Sequence, residues 1–253
     1  MMLLETQRVS KSFGGLRAVD EVDFAVAAGS ITGIIGPNGA GKTTLFNLIS
    51  RALPATNGRI VFDGQEVTGL EAYQVARRGL ARTFQATTLF KDATALENVL
   101  VGYRQRTSAG LLDAMLRSSR LAREEREAEA AAHEALANAD LDGFADRPAK
   151  NLTQEQQKRL AIAVALVSRP KLLLLDEPFA GINANQTRGL IAFIESIGAS
   201  GVTILLIEHQ MQAVMQLCRR IMVLDYGKKI AEGTPDEIRR DPAVLDAYLG
   251  GHA

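Results

Sequence analysis

Several features are scarce in this sequence, and each scarcity closes a class of explanation. There is a single cysteine, Cys218, in a chain of 253 residues. It can form no internal disulfide. Its segment, MQAVMQLCRRI, reads as a helix, so a small buried thiol is the expected role, and that suits a reducing compartment. Charge of one sign is also missing: 29 Lys plus Arg balance 29 Asp plus Glu. No net field draws the protein to nucleic acid or to an anionic membrane surface. Long hydrophobic runs are absent too. The longest, such as LLLL at 172–175, are only strand length, and MMLLETQRVSKSF lacks the apolar core of a secretory signal. The chain is therefore expected not to span a membrane. No internal repeat or low-complexity tract interrupts it.

What is present is an alternation of elements. The 47% hydrophobic content suffices for one large α/β unit. GSITGIIG (29–36), KLLLLDEP (171–178) and VTILLIEH (202–209) are apolar runs that each end at a polar or glycine-rich turn, the pattern of buried parallel strands. Helical patterns follow at 42–50, 186–197 and 211–219. Such α/β cores bind ligands outside the carboxyl ends of their strands. The N-terminal LLETQRVSKSF and AVDEVDFAV alternate polar and apolar residues, as half-exposed antiparallel strands do, and GRIVFDGQEV adds another around an Asp63-Gly64 turn. Between Gln85 and Asn151 the texture changes to Ala, Glu, Arg and Leu. There LAREEREAEAAAHEALANADL reads as a long charged helix, a solvated insert with i,i+4 ion pairs. The tail, PDEIRRDPAVLDAYLGGHA, reads as a short helical hairpin.

The chemistry concentrates at the strand ends. Gly36-Pro37-Asn38-Gly39-Ala40-Gly41-Lys42-Thr43 fits the phosphate-loop pattern and lies between an apolar strand and a helix. Its glycines let backbone N–H groups curl round a β-phosphate. The helix N-terminus adds positive charge, Lys42 reaches the β- and γ-phosphates, and Thr43 ligates Mg²⁺. Four leucines at 172–175 deliver Asp176 and Glu177 to one strand end. Two like charges there need a cation or a catalytic use. Asp176 is expected to hold Mg²⁺ through its water shell and Glu177 to polarise the attacking water. His209 ends the strand 202–209. Alone it would read as an ordinary packed side chain; beside the other motifs it reads as part of the site. Phe13, 23 residues before Gly36, is a candidate adenine-stacking ring, with a core role as the alternative.

In this order the residues resemble the ABC ATPase family over essentially the whole chain. Phe13 stands where the family has its adenine-stacking aromatic, 36–44 (Gly36 through Thr44) is the phosphate loop, and Gln85 in RTFQ matches the glutamine loop. LTQEQQKRLAIAVAL falls where the family's signature helix begins, followed by LLLLDEP and the histidine switch at His209. The resemblance implies a P-loop NTPase cassette of α/β class: a RecA-like parallel-sheet core at 1–86 and 160–253, an N-terminal antiparallel β subdomain, and a helical subdomain at about 87–159, all one nucleotide-binding domain. It implies ATP and Mg²⁺ as ligands. Lys42, Gln85, Glu177 and His209 would be catalytic, and Thr43, Gln85 and, through water, Asp176 would hold the metal. It also implies a head-to-tail dimer in which Thr153, Gln154, Glu155 and Gln156 face the partner's ATP.

FGGLRAV, ARTFQ, LENVLVG, EPFAG, IEHQM and the ending AYLG look like the branched-chain amino-acid importer ATPases, as does GLLDAMLR in the insert. That resemblance implies a second ATPase, with a heterodimer favoured over a homodimer, two membrane permeases and, indirectly, a substrate-binding protein outside the membrane. Nucleic acid is not an implied partner. The place implied is the cytoplasmic face of a bacterial membrane. Alternatives are a urea or amide importer, a lipopolysaccharide exporter, a soluble ABC protein of repair or translation, and a P-loop kinase or GTPase. The long coiled coil or second cassette of the soluble proteins is not seen, and the kinase or GTPase would lack the signature helix and histidine switch. The chain departs from the family at Leu152-Thr153-Gln154-Glu155-Gln156, where Leu-Ser-Gly-Gly-Gln is usual. Thr153 and Gln156 can still form a capping box. Glu155 either sets a carboxylate near the partner's γ-phosphate or turns outward at little cost. Asn183 stands where many relatives have aspartate.

Overall fold

The structure, a computed structural model, describes residues 1–83, 89–103 and 119–249. The chain separates into two compact units: Met1–Arg82 with Lys171–Ala180 and Thr187–Ala253, and Thr83–Pro170 with Gly181–Gln186.

Two sheets organise the first unit. β1 (Met2–Phe13) and β2 (Leu16–Ala27) form an antiparallel hairpin, and β4 (Asn57–Phe62) pairs with the other edge of β1, followed by the short β5 (Gln65–Glu66). Their polar–apolar alternation buries one face and wets the other. The second sheet runs β10-β9-β3-β8-β7-β6. Its strands are β3 (Ile31–Ile35), β6 (Leu80–Arg82), β7 (Leu172–Asp176), β8 (Thr203–Ile207), β9 (Arg220–Asp225) and β10 (Lys228–Gly233). All its pairs are parallel except β9 with β10. The mostly apolar β3, β7 and β8 are buried nearly throughout, with Thr32, Asp176 and Thr203 as the buried polar residues among them.

Helix α1 (Lys42–Ile49) lies at the centre of the core. Its Leu45, Phe46, Leu48 and Ile49 share one cluster with Leu4, Val9, Phe24, Ile60 and Phe62 of the antiparallel sheet and Ile34, Leu174, Leu205 and Leu224 of the other. Burying a side chain of the size of Phe46 or Phe62 contributes about 1.5–3 kcal/mol. The same cluster thus fixes where the helix following the phosphate loop begins. The short α2 (Ala72–Arg77) starts with a capping box between Glu71 and Gln74. Helices α6 (Ala184–Ala199, its first residues in the second unit), α7 (Met211–Leu217), α8 (Pro235–Arg240) and α9 (Pro242–Leu249) complete it. The last two form the expected hairpin. Cys218 is buried at the end of α7, where burial pushes its thiol up to about 12.

The second unit packs α3 (Ala95–Tyr103), α4 (Ser119–Asn138) and α5 (Gln154–Leu166) together. α5 stays whole within it, because its apolar face meets α3 and α4; the sequence-based division at 160 cuts through this helix. Along α4 the expected i,i+4 pairs form, Arg120 with Glu124 at 3.3 Å and Arg123 with Glu127 at 3.9 Å. Among the described residues no helix is long and apolar enough to cross a membrane.

Candidate nucleotide site

The site begins where β3 leaves the sheet. Gly36 has φ 148°, and a Cβ there would lie 2.0 Å from the Leu224 carbonyl oxygen. Gly41, at φ 98°, would put a Cβ 2.3 Å from the Ala18 carbonyl oxygen. Only glycine fits either position. The loop is braced from outside: the Gly227 N–H donates to the Ala40 carbonyl and the Asp20 N–H to the Gly227 carbonyl. Gly41 occupies the cap position of α1 without a side-chain cap, so the first turn of this helix keeps donors for an anion.

Lys42 is 8% exposed and its ammonium donates to the Gly36 and Pro37 carbonyls at 2.7 and 2.8 Å. Burial lowers its pKa, and the nearby Glu177 carboxylate opposes that shift. Asn38, Gly39 and Thr43 are exposed on the rim, with Pro37 and Thr44 half-buried. Asp176 is 3% exposed at the end of β7; Arg82 donates to its Oδ2 at 2.9 Å, while its Oδ1 is buried without a hydrogen-bond partner. A buried carboxylate oxygen with no partner fits a metal or metal-bound water. Glu177 follows with φ 48°, a left-handed conformation that costs a non-glycine residue about 1–3 kcal/mol. β8 stops at Ile207, so His209 does not end that strand as expected but sits in the loop two residues beyond it, and its Nδ1 lies 4.0 Å from Glu177 Oε1. Phe13 is 48% exposed at the β1–β2 turn, with the Lys11 ammonium 5.2 Å from its ring centroid. The first unit thus brings together Lys42, Asp176, Glu177 and His209 around the phosphate loop. Gln85 lies outside the described residues.

Two residues that the sequence reading passed over hold this arrangement. Glu208 is fully buried; its Oε1 accepts from the Phe179 N–H at 3.1 Å, and its Oε2 from the His209 and Gln210 N–H groups at 2.7 and 2.8 Å. Gln210 Nε2 adds a bond to the Phe179 carbonyl at 3.0 Å. The loop after Glu177 is therefore tied to the loop carrying His209. The other residue is Arg82. The available signal was a charged residue next to a motif at the end of an apolar strand.

In the second unit Thr153 caps α5: its hydroxyl accepts from the Gln156 N–H at 3.3 Å, and Gln156 Oε1 accepts from the Thr153 N–H at 2.9 Å. Gln154 is exposed. Glu155 folds along the helix onto Arg159 at 2.8 Å, and Arg159 also binds Asp140 at 2.8 Å. Asn183 caps α6 through bonds from the Asn185 and Gln186 N–H groups, both 3.0 Å. Asn98, 2% exposed, pins the Phe90 backbone at both its N–H and its carbonyl, at 2.8 and 3.1 Å. Phe90 itself is 60% exposed.

A family model described as ABC transporter matches residues 19–180, and one described as Branched-chain amino acid ATP-binding cassette transporter matches residues 228–253. The high-affinity branched-chain amino acid transport ATP-binding protein BraF of Pseudomonas aeruginosa is 42% identical over 249 residues, 98% of each chain. LivG of Escherichia coli K12, of the same description, is 41% identical over 98% of each. A nucleotide-free ATP-binding cassette from an ABC transporter superposes with TM-score 0.86 at 34% identity, covering 99% of this chain and 100% of that one. A cassette in its ADP conformation also gives 0.86, at 33% identity and 99% of both chains. With the phosphate loop, the paired strand-end carboxylates and these likenesses together, the chain belongs to the ABC transporter family, as an ATP-hydrolysing cassette subunit.

Proposed function

We propose that this chain powers uptake of branched-chain or related amino acids through separate membrane permeases, at the cytoplasmic face of the membrane, and that the residues around the phosphate loop carry its ATPase. One observation supports the reading most: Glu177 and His209, just beyond the ends of the neighbouring strands β7 and β8, meet beside a desolvated Lys42 and a carboxylate oxygen of Asp176 that has no protein partner. Lys42 exchanges its two loop carbonyls for β- and γ-phosphate oxygens. Thr43, Gln85 and, through water, Asp176 would hold Mg²⁺, which when bound would supply positive charge against the phosphates. Glu177 accepts the proton of the attacking water, and His209 orients that centre. Phe13, 48% exposed, stacks on adenine. Because Glu155 is paired with Arg159, its charge is offset within its own helix and opposes closure on a partner's γ-phosphate less than a bare carboxylate would.

The working assembly in this reading is a head-to-tail pair of cassettes with Thr153–Gln156 facing the partner's ATP. A distinct ATPase is the favoured partner, because this signature lacks both usual glycines. The chemistry and the pairing are tested together in the reconstituted transporter. Glu177→Gln keeps the side chain's shape but cannot take a proton, so it should leave ATP binding intact and stop most turnover. The equivalent change in the partner should cost less. Normal hydrolysis by Glu177→Gln would remove the base assignment, and equal losses from the two changes would remove the unequal pair.

A further inference from the structure

We propose that Arg82 is a positioning residue for the metal, a guanidinium clamp that engages one oxygen of Asp176 and so leaves the other turned towards the metal's water shell. The inference rests on the assignment of Asp176 to Mg²⁺ made above. Arg82 is the last residue of β6 and pairs in register with Leu174 of β7. In a parallel pair, neighbours in register share a face, and Asp176, two residues beyond Leu174, falls on that face too. The strand geometry alone therefore aims the arginine at the aspartate.

The contacts lock it there. Arg82 Nη2 donates to Asp176 Oδ2 at 2.9 Å, and Nη1 donates to Asn47 Oδ1 at 2.7 Å and Ser50 Oγ at 2.9 Å. Its guanidinium carbon lies 5.6 Å from the centroid of the Phe46 ring. Asn47 and Ser50 belong to the far end of the helix that begins at Lys42. The Arg82 and Asp176 side chains are 6% and 2% exposed, so water competes little for either. Buried ion pairs are weak devices for stability, since desolvation offsets much of the attraction. A planar fork that meets three acceptors at once is a strong device for orientation. Asp176 Oδ1, the atom left without a hydrogen-bond partner, is the one so presented. One side chain thus registers the metal aspartate against the phosphate-loop helix.

The test is metal-dependent binding of a fluorescent ATP analogue by the full chain, titrated with Mg²⁺ and repeated in EDTA. Removing an outer partner of a metal-binding carboxylate weakens metal affinity by about 10- to 100-fold. Arg82→Lys, which keeps the charge but loses the fork, and Arg82→Met should each raise the Mg²⁺ midpoint about tenfold while leaving affinity in EDTA within about twofold. Asp176→Asn is measured beside them. If it keeps the wild-type midpoint, the metal assignment fails and the inference with it. If it loses the Mg²⁺ dependence while Arg82→Lys keeps it, the assignment stands and the positioning role is overturned. Equal weakening with and without metal in Arg82→Lys marks a merely structural role and also overturns it. Should neither Arg82 variant fold, Asn47→Ala with Ser50→Ala removes two of the guanidinium's acceptors; a raised midpoint supports the clamp and a wild-type midpoint refutes it.

Discussion

Replacing Glu208 by glutamine changes one atom type at the most enclosed carboxylate of the site, and its cost can be worked out bond by bond. The carboxylate is fully buried and accepts three backbone N–H groups, from Phe179, His209 and Gln210. Glutamine offers a single acceptor oxygen. Its better orientation keeps the His209 and Gln210 bonds and turns the amide NH₂ towards the Phe179 N–H, donor against donor. Leaving that N–H unsatisfied costs about 1–3 kcal/mol, and converting two charge-assisted bonds to neutral ones costs about 1 kcal/mol each. Relief of carboxylate desolvation offsets part of this, leaving about 2–4 kcal/mol. At about 2–4 °C per kcal/mol for a chain of this size, Tm should fall by roughly 5–15 °C. Hydrogen exchange should locate the damage, with faster exchange at Phe179, His209 and Gln210 than at the phosphate loop. ATP turnover should fall with His209 no longer held at its place near Glu177, while ATP affinity changes little, since Lys42 keeps its own loop. A Tm within about 2 °C of wild type, with unchanged exchange at those amides, would refute the account of Glu208 as the tie between the two loops.

Other outcomes follow from the same geometry. Lys42→Ala should fold but lose detectable ATP hydrolysis, because the phosphate loop then has no ammonium for the β- and γ-phosphates; wild-type turnover by a folded variant would contradict the loop's role. Cys218, 4% exposed with its thiol raised to about 12, should resist iodoacetamide at pH 8 and react only after denaturation. Stoichiometric labelling within minutes in native buffer would show that its burial is misjudged. If the permeases proposed above dock near Gln85 with Leu89 and Phe90 as apolar anchors, changing both to Ser should reduce permease capture without lowering ATP binding by the isolated subunit, since Phe90 is 60% exposed and its backbone is held by Asn98. Undiminished capture in a pull-down from membranes would move the docking surface elsewhere.

The parts of this molecule that local pattern can describe were legible in the sequence. Mostly apolar runs announced β3, β7 and β8, because a strand covered on both faces keeps few polar positions. The glycines of the phosphate loop were readable for a related reason: Gly36 and Gly41 face carbonyl oxygens at distances that no side chain tolerates. The capping box at Thr153 and Gln156 followed from spacing alone. Element ends shifted by a residue or two, as at α7, which stops at Leu217 rather than Arg219 because the chain turns extended at Cys218 to enter β9. The conformation of Glu155 was not readable, since the choice between solvent and Arg159 depends on how Asp140 fixes the arginine from 19 residues away.

Arg82 and Glu208 escaped for the same physical reason, and the reason bears on how such sites are built. Each is a charged residue at the end of a strand, immediately before or shortly before a residue of the catalytic motif, and in the sequence each looks like an ordinary surface charge where a strand emerges. Burial reverses that reading, and burial is decided by distant segments. Glu208 is enclosed by the loop at Phe179, 29 residues upstream, and Arg82 by Asp176, 94 residues downstream. A buried charge without partners would cost several kcal/mol, so each must be met by donors or acceptors fixed in place. Those partners are Asp176 itself, the phosphate-loop helix at Asn47 and Ser50, and the backbone of the segments that follow Glu177 and carry His209. The requirement to satisfy the buried charge therefore becomes a requirement on the geometry of the site, which is how residues that need not touch nucleotide can determine where the ones that do are held.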